Sequence, residues 1–148
     1  MNTIRNDIYT KYYELECRFW LSGNNYILQA NYNEALLNKL GFTKYEDIEL
    51  KDKMYKKVLT ADVDNAYQVR TYCKYKGFSF FVESFHNGLY TILPLEEAMK
   101  YFNDFPKHGY DPVYTAKENE VEEIWEERTP KEGFKFEVNS IVYLKHKS

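Results

Sequence analysis

Apolar and polar positions alternate most clearly in the middle of the chain, from Thr60 to Phe105. Two periods meet there. Val63, Ala66, Tyr67, Arg70 and Cys73 recur at helical spacing and predict a helix over 60–76 with one largely apolar face. Thr60 would cap it, Asp62 and Asp64 would complement its dipole, and Gly77 would end it. From Phe78 the period becomes two. Phe78, Phe80 and Val82 point one way; Ser79, Phe81 and Glu83 point the other. Asn87-Gly88 marks a hairpin, because both residues tolerate positive φ. The run LYTIL returns as the partner strand. Pro94 stops it and suits the first turn of a second helix, with Leu95, Ala98, Met99 and Phe102 as its apolar stripe. The expectation is an α+β fold: an antiparallel sheet, including a hairpin at about 78–93, with helices packed on it.

The flanks extend this picture. Residues 4–21 fit both periods. Tyr13, Leu15, Cys17, Phe19 and Leu21 alternate with polar neighbours, while Ile8, Tyr12, Leu15 and Phe19 also share a helical face. Ser22-Gly23-Asn24-Asn25 is a turn and YILQA a returning strand, so a hairpin is favoured after a helical or irregular lead-in. NEALLNKLGF predicts a short helix capped by Asn33, packed through Leu36, Leu37 and Leu40, and ended by Gly41. Residues 43–47 can start a further helical turn. The segment 44–59 reads as a solvated connector anchored by Ile48, Leu50, Met54, Tyr55 and Val58. Residues 106–116 read as an ordered loop. KENEVEEIWEER places Val121, Ile124, Trp125 and Arg128 on one helical face and predicts an acidic helix. FKFEV and IVYLK are candidate strands.

Length and composition bound the class. A chain of 148 residues, 44% hydrophobic and 29% charged, is expected to form a single domain over 1–148. Aromatic residues make up 18%, with 15 Tyr and 10 Phe, so ring packing must supply much of the core. The net charge of −3 argues against attraction to phosphate over the whole surface, though not against a local basic patch. Nucleic acid is therefore not the expected partner. No long apolar run, secretory signal or lipidation motif appears, and two cysteines are too few for a disulfide framework. The expected setting is the cytoplasm, without membrane contact.

No motif fixes a reaction. Asp62-Val63-Asp64-Asn65 has the start of a calcium loop, but Tyr67 stands where the loop requires glycine. No metal, cofactor or catalytic residue is assigned. Cys73, Glu83 and His86 lie on adjacent predicted elements and define a candidate enzyme site, either as a thiol–imidazole pair or as an acid/base pair. The plainer reading is a packed thiol and a solvated turn histidine. Residues 44–76 carry Lys44, Lys51, Lys53, Lys56, Lys57, Arg70, Lys74 and Lys76 beside Tyr72 and Tyr75, a candidate nucleic-acid module. Acidic residues interleave with them and leave only a slight basic excess.

The acidic helix is the leading candidate surface. Glu122, Glu123, Trp125, Glu126 and Glu127 would form an acidic, aromatic face docking on a basic protein partner. The plainer reading is a solvated helix held by Val121, Ile124 and Trp125. In being small, acidic, tyrosine-rich and free of motifs, the chain is similar in style to bacterial immunity proteins and phage accessory proteins. That likeness is one of class and carries over no individual residue; the lack of a catalytic constellation together with the acidic, aromatic surface leads to the expectation of a non-enzymatic binding protein, an inhibitor of another macromolecule acting by surface occlusion.

Overall fold

The computed structural model describes residues 4–31, 34–43, 53–101, 107–108 and 111–146. Strands dominate it, and the chain is mainly β. Among the described residues there are two α-helices of six residues each. The expectation of an α+β fold with helices packed on the sheet is therefore incorrect. The residues form two compact units. None of the described helices is long and apolar enough to cross a membrane.

The first unit comprises Ile8–Tyr67 and Pro130–Glu137. Its sheet is a meander of β1 (Asp7–Tyr12), β2 (Leu15–Ser22), β3 (Asn25–Asn31) and β4 (Lys53–Leu59), each antiparallel to the next. The hairpin at Ser22–Asn25 is present, and its lead-in is strand rather than helix. The period-two signal wins because Phe19 sits opposite Leu28 across the ladder and Cys17 is buried in the core, which a lone helix face could not offer. Cys17, Leu28, Ala30, Met54 and Val58 pack with Leu37, Phe42 and Val63. The helix α1 (Glu34–Lys39) lies between β3 and β4. It buries Leu37 and leaves Leu36 exposed. Its expected cap, Asn33, lies outside the described residues.

Residues 53–59 are not a connector. They are β4, with Met54, Tyr55 and Val58 buried. The rest of that segment, 44–52, lies outside the described residues, as does most of the expected turn at 43–47.

The second unit comprises Met1–Asp7, Gln68–Thr129 and Val138–Ser148. It contains β5 (Tyr67–Tyr75), β6 (Phe78–His86), β7 (Leu89–Pro94), α2 (Glu96–Tyr101), β8 (Lys107–His108), β9 (Asp111–Pro112), β10 (Tyr114–Lys117), β11 (Val121–Pro130) and β12 (Ile141–Lys145). The main sheet runs β10-β7-β6-β5-β11-β12, and β8 pairs with β9. Its core gathers Cys73, Tyr75, Phe80, Val82, Tyr90, Ile92 and Ile124.

The helix expected over 60–76 is a one-turn 3₁₀ segment at Thr60–Asp62 followed by β5. The helical reading omitted Val69, Thr71 and Tyr75. With them, Tyr67, Val69, Thr71, Cys73 and Tyr75 alternate without a break, and all five are buried. Gly77 does adopt positive φ, as does Lys76, but they form the turn of the β5–β6 hairpin rather than a helix end.

The β6–β7 hairpin turns at Asn87-Gly88, both at positive φ. Of the stripe on α2, Ala98 is buried while Leu95 and Met99 are exposed, and Phe102 lies outside the described residues. So α2 covers little of the sheet. The acidic helix is also a correction: Glu118–Glu120 is a 3₁₀ turn and Val121–Pro130 is β11. Val121 and Ile124 are both buried three residues apart, a spacing that imitates a helix. The register of β11 on β12 shifts between Ile124 and Trp125. IVYLK forms β12. FKFEV is irregular; Phe134 instead packs edge-on against Phe19 in the first unit, at 5.9 Å.

Candidate functional site

One feature of the second unit gathers side chains from four neighbouring strands. On β5 and β6, Tyr72 lies opposite Phe81, and their rings meet edge to face at 5.9 Å. Tyr72 also stacks on Trp125 of β11, with centroids 6.1 Å apart and planes 24° apart. Trp125 lies opposite Tyr143 of β12, at 6.0 Å. Tyr143 in turn stacks on His146 at 4.3 Å. The result is a row of five rings across the sheet. Alternation explains why they share a side: Cys73, Phe80 and Val82 turn into the core, so Tyr72 and Phe81 must turn away from it. Phe81, Tyr72 and Trp125 are half-buried, and Tyr143 is 45% exposed. The indole N–H of Trp125 donates to Glu127 Oε2 at 3.1 Å, which fixes the ring's orientation.

The five residues expected to form the acidic surface separate. Trp125 is central to the row. Glu127 holds it, and Glu123 is half-buried on the same strand. Glu122 is turned to the β5–β6 hairpin, where its Oε1 accepts the Gly77 N–H at 3.0 Å.

Glu126 is buried, at 3% exposure, and leaves the candidate surface altogether. Arg5 grips it with two hydrogen bonds, Nε to Oε2 at 2.8 Å and Nη2 to Oε1 at 3.0 Å. Arg128 Nη2 adds a third at 2.7 Å. Arg5 is held in place by its own segment: Thr71 Oγ1 donates to the Arg5 carbonyl, and Asn6 Oδ1 accepts the Thr71 N–H. Burial alone would raise the Glu126 carboxyl's pKa; the hydrogen bonds and charges of Arg5 and Arg128 outweigh it and hold the pKa below its ordinary value.

Arg70 and Lys74 alternate with Tyr72 and share its side of β5. The face thus carries a basic strand beside an acidic one.

The candidate enzyme residues do not converge. Cys73 is fully buried opposite Phe80, and burial pushes its thiol up to about 12. His86 lies six residues further along β6, roughly 20 Å at the rise of a strand. It is exposed, as is Glu83 at the register shift of β6 on β7. Cys17 in the first unit is also buried and pushed up to about 12, by desolvation and then by Glu16. Both cysteines stay protonated at neutral pH and are poor nucleophiles.

The candidate nucleic-acid module divides as well. Lys56 turns inward, donating to Tyr12 Oη and the Leu40 carbonyl at 2.6 and 2.7 Å. Lys53 and Lys57 turn the other way, and Lys74 and Lys76 belong to the second unit.

An open cleft of about 310 Å³ in the first unit is lined by Lys11, Tyr12, Tyr13, Asp62 and Asp64. Asn65 pins its wall: Oδ1 accepts the Lys11 N–H and Nδ2 donates to the Lys11 carbonyl. The Asp64 carboxyl is lowered chiefly by its hydrogen bond from Asn65, with a smaller contribution from Lys135. Among the described residues, no three His, Cys, Asp or Glu side chains converge on a metal-sized site.

Sequence reasoning found Trp125 and named Tyr72 only as a base-stacking candidate. It missed Phe81, Tyr143 and His146 as its neighbours. The available signal was positional for Phe81 and Tyr143, each on the side of its strand opposite core-packed residues; His146 follows β12 and had no such signal. A family model described as Uncharacterised conserved protein UCP033725 matches residues 4–132. No curated protein and no solved structure matches the chain.

Proposed function

The chain belongs to that family, and from this premise we propose that it is a non-enzymatic, cytosolic binding protein that recognises another protein through the aromatic row of the second unit. The observation that carries the reading is the row itself: aromatic rings in contact across four strands, left half-open. Tyrosine and tryptophan offer large, stiff contact area at small entropic loss and dominate binding hot spots. The flanking charges set which partner fits. Glu123 and Glu127 favour a basic segment laid along β11, while Arg70 and Lys74 reject one laid across β5. Binding of this kind inhibits by occlusion and needs no reacting group.

The test is affinity capture from native cells followed by binding measurements with the recovered partner. Trp125→Ala is expected to weaken binding by about 2 kcal/mol or more. Trp125→Ala combined with Tyr143→Ala should abolish capture. Equal recovery by the wild-type and doubly substituted proteins would remove the reading.

A further inference from the structure

We propose that the open cleft of the first unit binds a free amino acid with a cationic side chain, such as arginine or lysine. The aromatic row, which belongs to the second unit, plays no part in it. The cleft's volume of about 310 Å³ stands at the small end of ligand sites. Two stretches of chain line it. Lys11, Tyr12 and Tyr13 come from the end of β1 and the turn after it; Asp62 and Asp64 come from the end of the 3₁₀ turn and just beyond it. Asn65 fixes these walls to each other. Its side chain bonds to both backbone groups of Lys11, at 2.8 and 3.1 Å, and the Thr10 hydroxyl donates to its carbonyl at 2.7 Å. A ligand therefore meets a preformed cleft, which lowers the ordering cost of binding.

The charged groups of the cleft are open to a ligand. Each carboxylate is anchored through one oxygen. Asp62 Oδ2 accepts the Leu59 N–H at 3.0 Å, and Asp64 Oδ1 accepts Asn65 Nδ2–H at 3.0 Å. The second oxygen of Asp64 has Lys135 Nζ at 3.5 Å, a loose pair whose side chains are 63% and 66% exposed. A pair so long and so wet is displaced at little cost. The Lys11 ammonium has no ion pair among the described residues. Its cross-strand neighbour Glu16 accepts instead from the Tyr67 hydroxyl. Of the two rings, Tyr12 is already occupied, because Lys56 Nζ lies 4.9 Å from its centroid and bonds to its hydroxyl. Tyr13 is 75% exposed and meets Tyr12 only edge-on. Its backbone and that of Glu14 hold positive φ, which Asn-Gly would adopt at less cost, so the turn keeps an aromatic ring at the cleft in spite of the strain.

These groups select one kind of ligand. Two carboxylates and one ammonium give the lining a formal charge of −1. The complement is a small molecule of opposite net charge that carries both signs. A free basic amino acid is such a molecule, with two cationic groups and one carboxylate. Its cations pair with Asp62 and Asp64, one of them against the Tyr13 ring, and its carboxylate pairs with Lys11. Phosphate and other plain anions are repelled by the aspartates. A divalent cation meets the Lys11 charge and finds no three acidic, His or Cys side chains converging among the described residues.

The experiment is an amide-resolved NMR titration of the full chain with L-arginine at constant ionic strength. Saturable shifts confined to residues 11–14 and 62–65 are expected, with affinity falling as salt rises from about 20 to about 200 mM. L-Citrulline, which lacks the side-chain charge, should bind at least about three-fold more weakly. Asp62→Asn with Asp64→Asn keeps the oxygens that anchor each side chain and should lower arginine affinity about five-fold or more. Tyr13→Ala should lower it about two- to five-fold. Lys11→Met should weaken arginine but spare agmatine, the analogue without a carboxylate. Resonances outside the cleft report whether each variant folds. The proposal is overturned by shifts that fail to saturate or spread over the surface, by citrulline binding as tightly as arginine, by unchanged affinity in the Asp62/Asp64 or Tyr13 variant, or by Lys11→Met acting alike on arginine and agmatine. None of these results bears on the Trp125 row, whose own variants test it separately.

Discussion

Glu126 shows how much a single position can matter and how little of its role is local. Its carboxylate is buried between Arg5 and Arg128, residues that come from the chain's N-terminal segment and from two places further along β11. Removing its charge breaks both ion pairs and takes this anion from the largely buried Arg128 guanidinium. Glu126→Gln is therefore expected to destabilise the fold by about 3–5 kcal/mol in urea titrations. Glu123→Gln, on the half-open side, should stay within about 0.5 kcal/mol. The pH dependence has a definite sign. A carboxyl whose pKa is lower folded than unfolded contributes fully above its ordinary pKa of 4.5 and loses that contribution as pH falls through the lowered value. Acid titration of wild type should show this loss, and Glu126→Gln should flatten it. None of this was legible in a run of glutamates. In the sequence Glu126 is one acidic residue among six, and the partner that buries it, Arg5, lies 121 positions away.

At the scale of the element, turns were read better than the segments between them. Asn87-Gly88 and Ser22–Asn25 carry their own chemistry, so local sequence identified both hairpins. The strands β5 and β11 imitate helices in sequence because a few apolar residues fall three or four apart. What decided them was the ladder on either side, which a local window does not contain. Tyr72, Trp125 and Tyr143 form a row for the same reason: cross-strand neighbours are far apart in sequence. One turn shows the opposite case, a hairpin with no turn signal. Tyr13 and Glu14 both hold positive φ, at 47° and 68°, to join β1 to β2. That conformation is costly for residues with a Cβ, at about 1–2 kcal/mol each. Tyr13→Asn with Glu14→Gly should therefore stabilise the protein by about 1–2 kcal/mol, visible as a higher denaturant midpoint at unchanged slope. An unchanged midpoint would mean that the exposed Tyr13 ring, edge-on to Tyr12 at 4.8 Å, returns what its backbone loses.

The whole molecule poses a question of cooperativity. The second unit is assembled from three stretches of chain and the first from two. Neither is one continuous piece, and the polypeptide passes between them four times. Half-folding would leave long loops tethered at both ends. A single transition is the expected outcome, in keeping with the one domain that the chain's length suggests. The cysteines provide the measurement, because each unit's core holds one: Cys17 in the first and Cys73 in the second. Both are fully buried, and their thiols resist ionisation. At pH 8 neither should react with a thiol reagent in the native protein. Along a urea gradient, pulsed labelling read by mass spectrometry should show both becoming reactive with one midpoint. Two separated midpoints would mean that the units melt independently, and the cysteine labelled first would identify the weaker one.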